Sequence, residues 1–162
     1  MFKFKLDFYL KFVFIISLVT IILAYFIEYV LGYQPCNLCL LERIPYGLSM
    51  ILILANYIFI KNDKFIILLL ILLFAFSLTI SFYHFGIEQG FFEESAVCGV
   101  NNSAEILSKE ELLKQLQKKT ISCKDVTFKI FGLSLTTFNI VLSLIIFCML
   151  AKIFKNYEKF KN

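Results

Sequence analysis

Four long apolar runs limit what this chain can become more than any other feature. Residues 12–31, 44–60, 65–85 and 130–151 are flanked by Lys11, Arg43, Lys61, Lys129 and Lys152, and inside them only Glu28 and His84 are titratable apart from tyrosine and cysteine. Each run is close to the roughly 20 residues a helix needs to cross ~30 Å of hydrocarbon, and a helix satisfies its own backbone where water cannot. The expectation is an all-α membrane protein, a four-transmembrane-helix bundle forming one domain over residues 1–162. Composition agrees: 60% of the 162 residues are apolar, with 20 Phe, 8 Tyr, no Trp and only 2 Pro, against roughly 45–50% apolar in a soluble domain. A soluble globule, a disordered chain, a collagen-like repeat and a soluble disulfide scaffold are excluded. A cleavable signal peptide at the start fits less well than a span, because the run continues through Ala24 to Tyr29 with no Ala-x-Ala site.

Charge sets the expected orientation. The N-terminal segment, the 61–64 connector and the C-terminal tail hold nine lysines against Asp7, Asp63 and Glu158, whereas in 32–43 Glu42 cancels Arg43 and in 86–129 six lysines meet seven acids. The positive-inside rule then places both termini in the cytoplasm and makes 32–43 and 86–129 the outer loops. In the second of these, Ser108-Lys109-Glu110-Glu111 reads as a capping box, followed by Leu112, Leu113 and Leu116 on one side. A short amphipathic helix on the membrane surface is expected there.

The chemistry lies in five cysteines. Cys36 and Cys39 form a C-x-x-C in the first outer loop, Cys98 and Cys123 lie in the second, and Cys148 falls in the fourth span, where it reads as a small core residue. Four cysteines facing the oxidising side of a membrane point to disulfides. Pro35 suits the first turn of a helix, so Cys36 and Cys39 would share one face at its positive end, with Arg43 adding charge that favours a thiolate. A helix begun there would restart or kink at Pro45.

Haem attachment fails because residue 40 is leucine where histidine is required. An all-thiolate metal site from Cys36, Cys39, Cys98 and Cys123 stays open, though the second pair lacks the usual close spacing; the expectation is that no metal is used. A passive Cys36–Cys39 disulfide closes too small a loop to stabilise much, which leaves redox exchange. Cys98 and Cys123 enclose a long loop and could be a plain staple, but beside a membrane-edge dithiol they make a relay. Electrons leaving such a site need an acceptor, and with no haem or flavin motif in the chain a lipid-soluble quinone is the expected one. Among Glu28, Glu42, Arg43, Tyr46, His84 and Glu88 near this edge, Arg43 is the strongest candidate to bind a quinone oxygen; His84 reads equally as a plain interfacial residue or a functional one, and Glu42 and Glu88 read as solvated.

Three stretches resemble the bacterial disulfide bond formation protein B (DsbB) family: Gln34-Pro35-Cys36-Asn37-Leu38-Cys39 through Arg43-Ile44-Pro45-Tyr46; Tyr83-His84-Phe85-Gly86-Ile87-Glu88-Gln89-Gly90 leading to Cys98-Gly99; and Cys123 through Phe131-Gly132-Leu133-Ser134-Leu135 to Asn139. The resemblance implies a multi-pass protein of the bacterial inner membrane that oxidises a periplasmic thioredoxin-fold dithiol oxidase and passes the electrons to quinone, ubiquinone or menaquinone. It further implies that Cys98 is attacked by the partner's thiolate and Cys123 released, that Cys123 then pairs with Cys36, and that Cys39 is freed against the quinone, with Arg43 on a quinone oxygen and His84 nearby. Glu42 stands where many relatives carry glutamine, a change expected to affect headgroup contacts and not the thiol relay. Membrane lipid and quinone, not nucleic acid, are the surroundings implied. A vitamin K epoxide reductase-like enzyme is set aside because there the C-x-x-C follows the loop pair; a non-catalytic membrane protein with metal-binding or stapled cysteines is the rival of a different class.

Overall fold

The computed structural model describes residues 2–60, 62–93, 98, 123, 129–130 and 133–161. Four helices fill most of this: α1 (Phe2–Tyr29), α2 (Asn37–Ala55, continued by a π turn over Asn56–Ile60), α3 (Asp63–Glu88) and α4 (Leu135–Lys161). All four are long and apolar enough to cross a membrane. The four-helix architecture is as expected, but the ends differ. The amphipathic segment expected around Ser108 lies outside the described residues.

Local chemistry explains the shifted ends. Helix α1 starts well before residue 12 because its lysine-bearing first turns still place Leu6, Leu10 and Val13 on one buried stripe, with Lys11 paired to Asp7 at 2.7 Å one turn away. It stops at Tyr29, leaving Val30 and Leu31 beyond its end. Helix α2 starts at Asn37, with Cys36 as its N-cap and Pro35 outside. It passes through Pro45 without restarting, the proline lying buried inside it. Asn62 caps α3 by accepting from the Phe65 N–H at 3.5 Å, and Ser134 accepts from the Thr137 N–H at 3.4 Å, so α4 begins at Leu135. Ile130, expected inside the fourth span, pairs instead with Leu133 in a short antiparallel ladder.

Helix α3 runs one turn past residue 85 and ends on Gly90, whose φ of 78° suits only glycine easily, with the Phe91 N–H returning to the Gly86 carbonyl at 2.8 Å. The Phe92 ring packs directly over Gly86, where a Cβ would meet it at 2.1 Å and push it aside. This extra turn puts His84 and Glu88 on one inward face.

Lipid is as apolar as leucine, so packing and interhelical hydrogen bonds hold such bundles together. Ser17 Oγ meets Ser49 Oγ at 2.9 Å between α1 and α2, and Ser77 Oγ meets Ser143 Oγ at 3.1 Å between α3 and α4. The main apolar core, built on Val13, Ile53, Ile66, Leu70 and Leu150, lies toward the end of the bundle away from the cysteines. Cys148 is exposed on the outer, lipid-facing side of α4 and is not the core residue expected.

Candidate functional site

The site is assembled at the start of α2 and the end of α3. As the N-cap, Cys36 has extended backbone, and its Sγ accepts from the Cys39 N–H at 3.2 Å, the role a serine or aspartate oxygen usually fills. A sulfur so placed sits on the positive end of the helix. The Cys36 and Cys39 sulfurs are 2.6 Å apart. Cys98 and Cys123 form a disulfide, Cα to Cα 5.4 Å, and both belong to one buried cluster with Cys36, Leu38 and Ile87 against which Cys39 packs. Cys36, Cys39, Cys98 and Cys123 therefore meet in one place.

His84 is 1% exposed, with its Nε2 3.5 Å from the Cys36 sulfur. The hydrogen bond from Cys39, then the bond to His84 and its positive charge, hold the Cys36 thiol far below the ordinary thiol range, at about 4, against burial that pushes it up. The cation beside the sulfur is thus the imidazole. Arg43, expected to help the thiolate, is turned to α1 instead: its Nη1 donates to Glu28 Oε2 at 2.5 Å and its guanidinium lies 5.2 Å from the centre of the Tyr25 ring.

Glu42 and Glu88 are not solvated. Glu42 is 8% exposed, with Oε1 3.0 Å from His84 Nδ1 and Oε2 accepting from Asn139 Nδ2 at 3.0 Å. Glu88 Oε1 accepts from the Thr136 hydroxyl at 2.6 Å and lies 3.8 Å from His84 Nε2. Tyr46 OH donates to Asn139 Oδ1 and meets Ser143 Oγ at 3.1 Å. Sequence reading undervalued these groups because acids at the end of an apolar run look like residues in water. Their spacing held the clue: Glu42 comes one turn after Leu38, and Glu88 one turn after His84, each pair on the same inward side.

A cavity of about 330 Å³ opens between α1, α2 and α4, the lower end of the range for small-molecule pockets. Thr20, Ile21, Ala24 and Leu142 are among its walls, and Cys39, Glu42, Arg43, Tyr46 and Asn139 give it a polar end. Cys39 and Arg43 thus line one cavity, whereas His84, expected beside them, is not among its lining residues and stands behind Cys36. The mixture of an apolar trough, a guanidinium and a sulfur fits a flat ring with carbonyl oxygens and an apolar tail.

Three metal-ligand atoms, the Cys36 and Cys39 sulfurs and a His84 nitrogen, lie within 4.8 Å of one another. Two thiolates on a tetrahedral zinc, each bonded at about 2.3 Å, stand roughly 3.7 Å apart. The observed 2.6 Å suits a pair poised to share a bond better than a pair spread around an ion. The other two thiols of an all-cysteine site are joined to each other.

Comparison with known proteins gives the same direction. The family model described as disulfide bond formation protein DsbB matches residues 7–153. A Rickettsia prowazekii (strain Madrid E) protein named "Uncharacterized protein RP370" is 30% identical over 140 residues, covering 85% of this chain and 81% of its own. No solved structure matches the chain.

Proposed function

This chain belongs to the DsbB family of disulfide-forming membrane oxidoreductases, and from that premise we propose that it is a thiol:quinone oxidoreductase that reoxidises a periplasmic thioredoxin-fold dithiol oxidase. The observation that carries the reading is the convergence of both cysteine pairs in one buried cluster, one of whose sulfurs, Cys39, also lines an apolar cavity beside Arg43.

The relay follows from thiolate chemistry. A partner thiolate attacks Cys98; the Cys98–Cys123 bond breaks and Cys123 leaves as a thiolate. The partner's second thiol then displaces Cys98, so the partner becomes the disulfide and the loop pair the dithiol. Cys123 next attacks Cys36 of an oxidised Cys36–Cys39 pair, releasing Cys39, and Cys98 closes on Cys123 again. Two electrons and two protons have moved from the partner to Cys36 and Cys39. Cys36 suits its place in this exchange, since a stabilised thiolate is a good leaving group at the last step, when Cys98 attacks Cys123 and releases Cys36.

A quinone seated in the cavity would accept the two electrons and two protons that a dithiol gives up on becoming a disulfide. Arg43, held by Glu28 and the Tyr25 ring, offers a fixed positive charge to an oxygen on which negative charge develops, at the polar end of the cavity. Cys39 is the sulfur placed to reach the same space. The lysine balance supports a cytoplasmic position for both termini and a periplasmic one for the cysteines, in a bacterial inner membrane.

The test is anaerobic turnover of the purified protein with a reduced periplasmic thioredoxin-fold oxidase and a soluble ubiquinone or menaquinone analogue. One quinone consumed per disulfide made is expected. Disulfide exchange with no quinone consumed would refute the proposal.

A further inference from the structure

The two sulfurs of the C-x-x-C stand differently toward the cavity. Cys39 lines it, whereas Cys36 faces His84. Oxidation of this dithiol forms one S–S bond and releases two electrons and two protons, and the acceptor in the cavity needs all four. The electrons and one proton can leave through Cys39. The second proton, given up by Cys36 to the imidazole beside it, starts on the far side, buried on His84.

We propose that Glu42 is the proton carrier between Cys36 and the cavity, receiving through His84 the proton that Cys36 loses and passing it to the quinone there; this rests on the quinone reading above. The contacts form an unbroken path: Cys36 Sγ to His84 Nε2 at 3.5 Å, His84 Nδ1 to Glu42 Oε1 at 3.0 Å, and the Glu42 side chain in the cavity wall. Imidazole has two nitrogens, so it takes a proton on one and gives up another from the other without turning over. Holding the extra charge on a buried imidazole is costly unless it is paired or passed on, and a carboxylate at Nδ1 does both. Asn139 donates to the second carboxylate oxygen at 3.0 Å and is itself held by Tyr46, so the carrier is fixed in place.

The other ionisable groups facing this pair are Cys36, Cys39, Arg43 and Tyr46 from α2, Glu88 from α3 and, through Arg43, Glu28 and Tyr25 from α1. From α4 come the neutral Thr136 and Asn139. Glu88 is the competing carboxylate. It lies 3.8 Å from the same imidazole nitrogen that faces the sulfur, is bonded to Thr136, and stands apart from the cavity wall. Glu88 therefore cannot hand a proton from His84 to the cavity.

Glu42→Gln keeps the shape and an acceptor oxygen but carries no proton. In anaerobic turnover it should lower kcat about a hundredfold, the low end of general acid–base contributions, and leave the quinone KM within about twofold. A second readout needs no quinone: the infrared difference between the disulfide and dithiol forms should contain a deuterium-sensitive carboxylic-acid carbonyl band that Glu42→Gln removes and Glu88→Gln retains. Unchanged turnover in Glu42→Gln, or a band that survives it, would overturn the proposal. Should Glu42→Gln not fold, Glu42→Asp decides, since a true carrier shifts the band and keeps about a tenth of the turnover, while an unmoved band assigns the proton elsewhere and overturns it. A wild-type protein that shows the band, loses it in Glu42→Gln and reduces no quinone would support the proton path and remove the quinone reading.

Discussion

The two ends of the bundle are built from opposite materials. Away from the cysteines most buried residues are apolar, among them Leu6, Leu10, Val13, Ile53, Ile66, Leu70 and Leu150, side chains no more apolar than the lipid outside, with Asn56, bonded to Asp63 at 2.8 Å, one of the few polar ones. At the cysteine end the buried residues include Cys36, Glu42, His84 and Thr136, joined by hydrogen bonds from α2 to α3 and α4. Ionisable groups inside a membrane are expensive and mark function, so one end is a clamp and the other, on the proposed function, a reaction chamber. The comparison also shows how they depend on each other: the apolar end holds α2, α3 and α4 in register, and the polar end uses that register to bring Cys36, His84 and Glu42 into contact.

The contrast can be broken by substitution, beginning with the largest effect. Cys39→Ser should abolish quinone consumption altogether in the anaerobic turnover assay, because no disulfide can form at the cavity; any remaining quinone-linked turnover would move the electron exit elsewhere. His84→Ala should slow turnover about a hundredfold and change the acid sensitivity of Cys36. With its thiol held at about 4, Cys36 stays a thiolate as pH falls from 8 to 5 and alkylates throughout; without the imidazole the thiol value rises, and reactivity is lost at higher pH. Alkylation profiles of the two reduced proteins that superimpose would take His84 out of the account.

Smaller effects sharpen the picture. Arg43→Ala should raise the quinone KM about tenfold, the loss of one charge-assisted hydrogen bond, while disulfide exchange with the partner proceeds unchanged. At the other end, Leu70→Ala should cost about 2 kcal/mol in a reversible unfolding titration yet leave the turnover of each folded molecule within about twofold. Equal damage to turnover from Leu70→Ala and Arg43→Ala would erase the distinction between clamp and chamber.

The four spans were legible because hydropathy over some twenty residues is a strong signal, and the cysteine spacing pointed to the relay proposed above. The ends were less so. Pro35 marked the start of α2 closely, but that Cys36 itself would cap the helix depends on a sulfur taking an oxygen's part. Glu42 and Glu88 were hidden because hydropathy reads an acid at the end of a span as wet, while their partners His84, Asn139 and Thr136 come from distant parts of the chain. Cys148 was misplaced for the complementary reason. In lipid the outside of a helix is as apolar as the inside, so pattern alone does not say which way a residue in an apolar run faces.

The most direct measurement of the central claim is a free-thiol count by mass-tag alkylation on the fully reduced, purified protein, before and after a soluble quinone is added without oxygen. The chain has five cysteines, and the account predicts a fall from five free thiols to one, with Cys148 the survivor. Five thiols that stay free in the presence of quinone would contradict it.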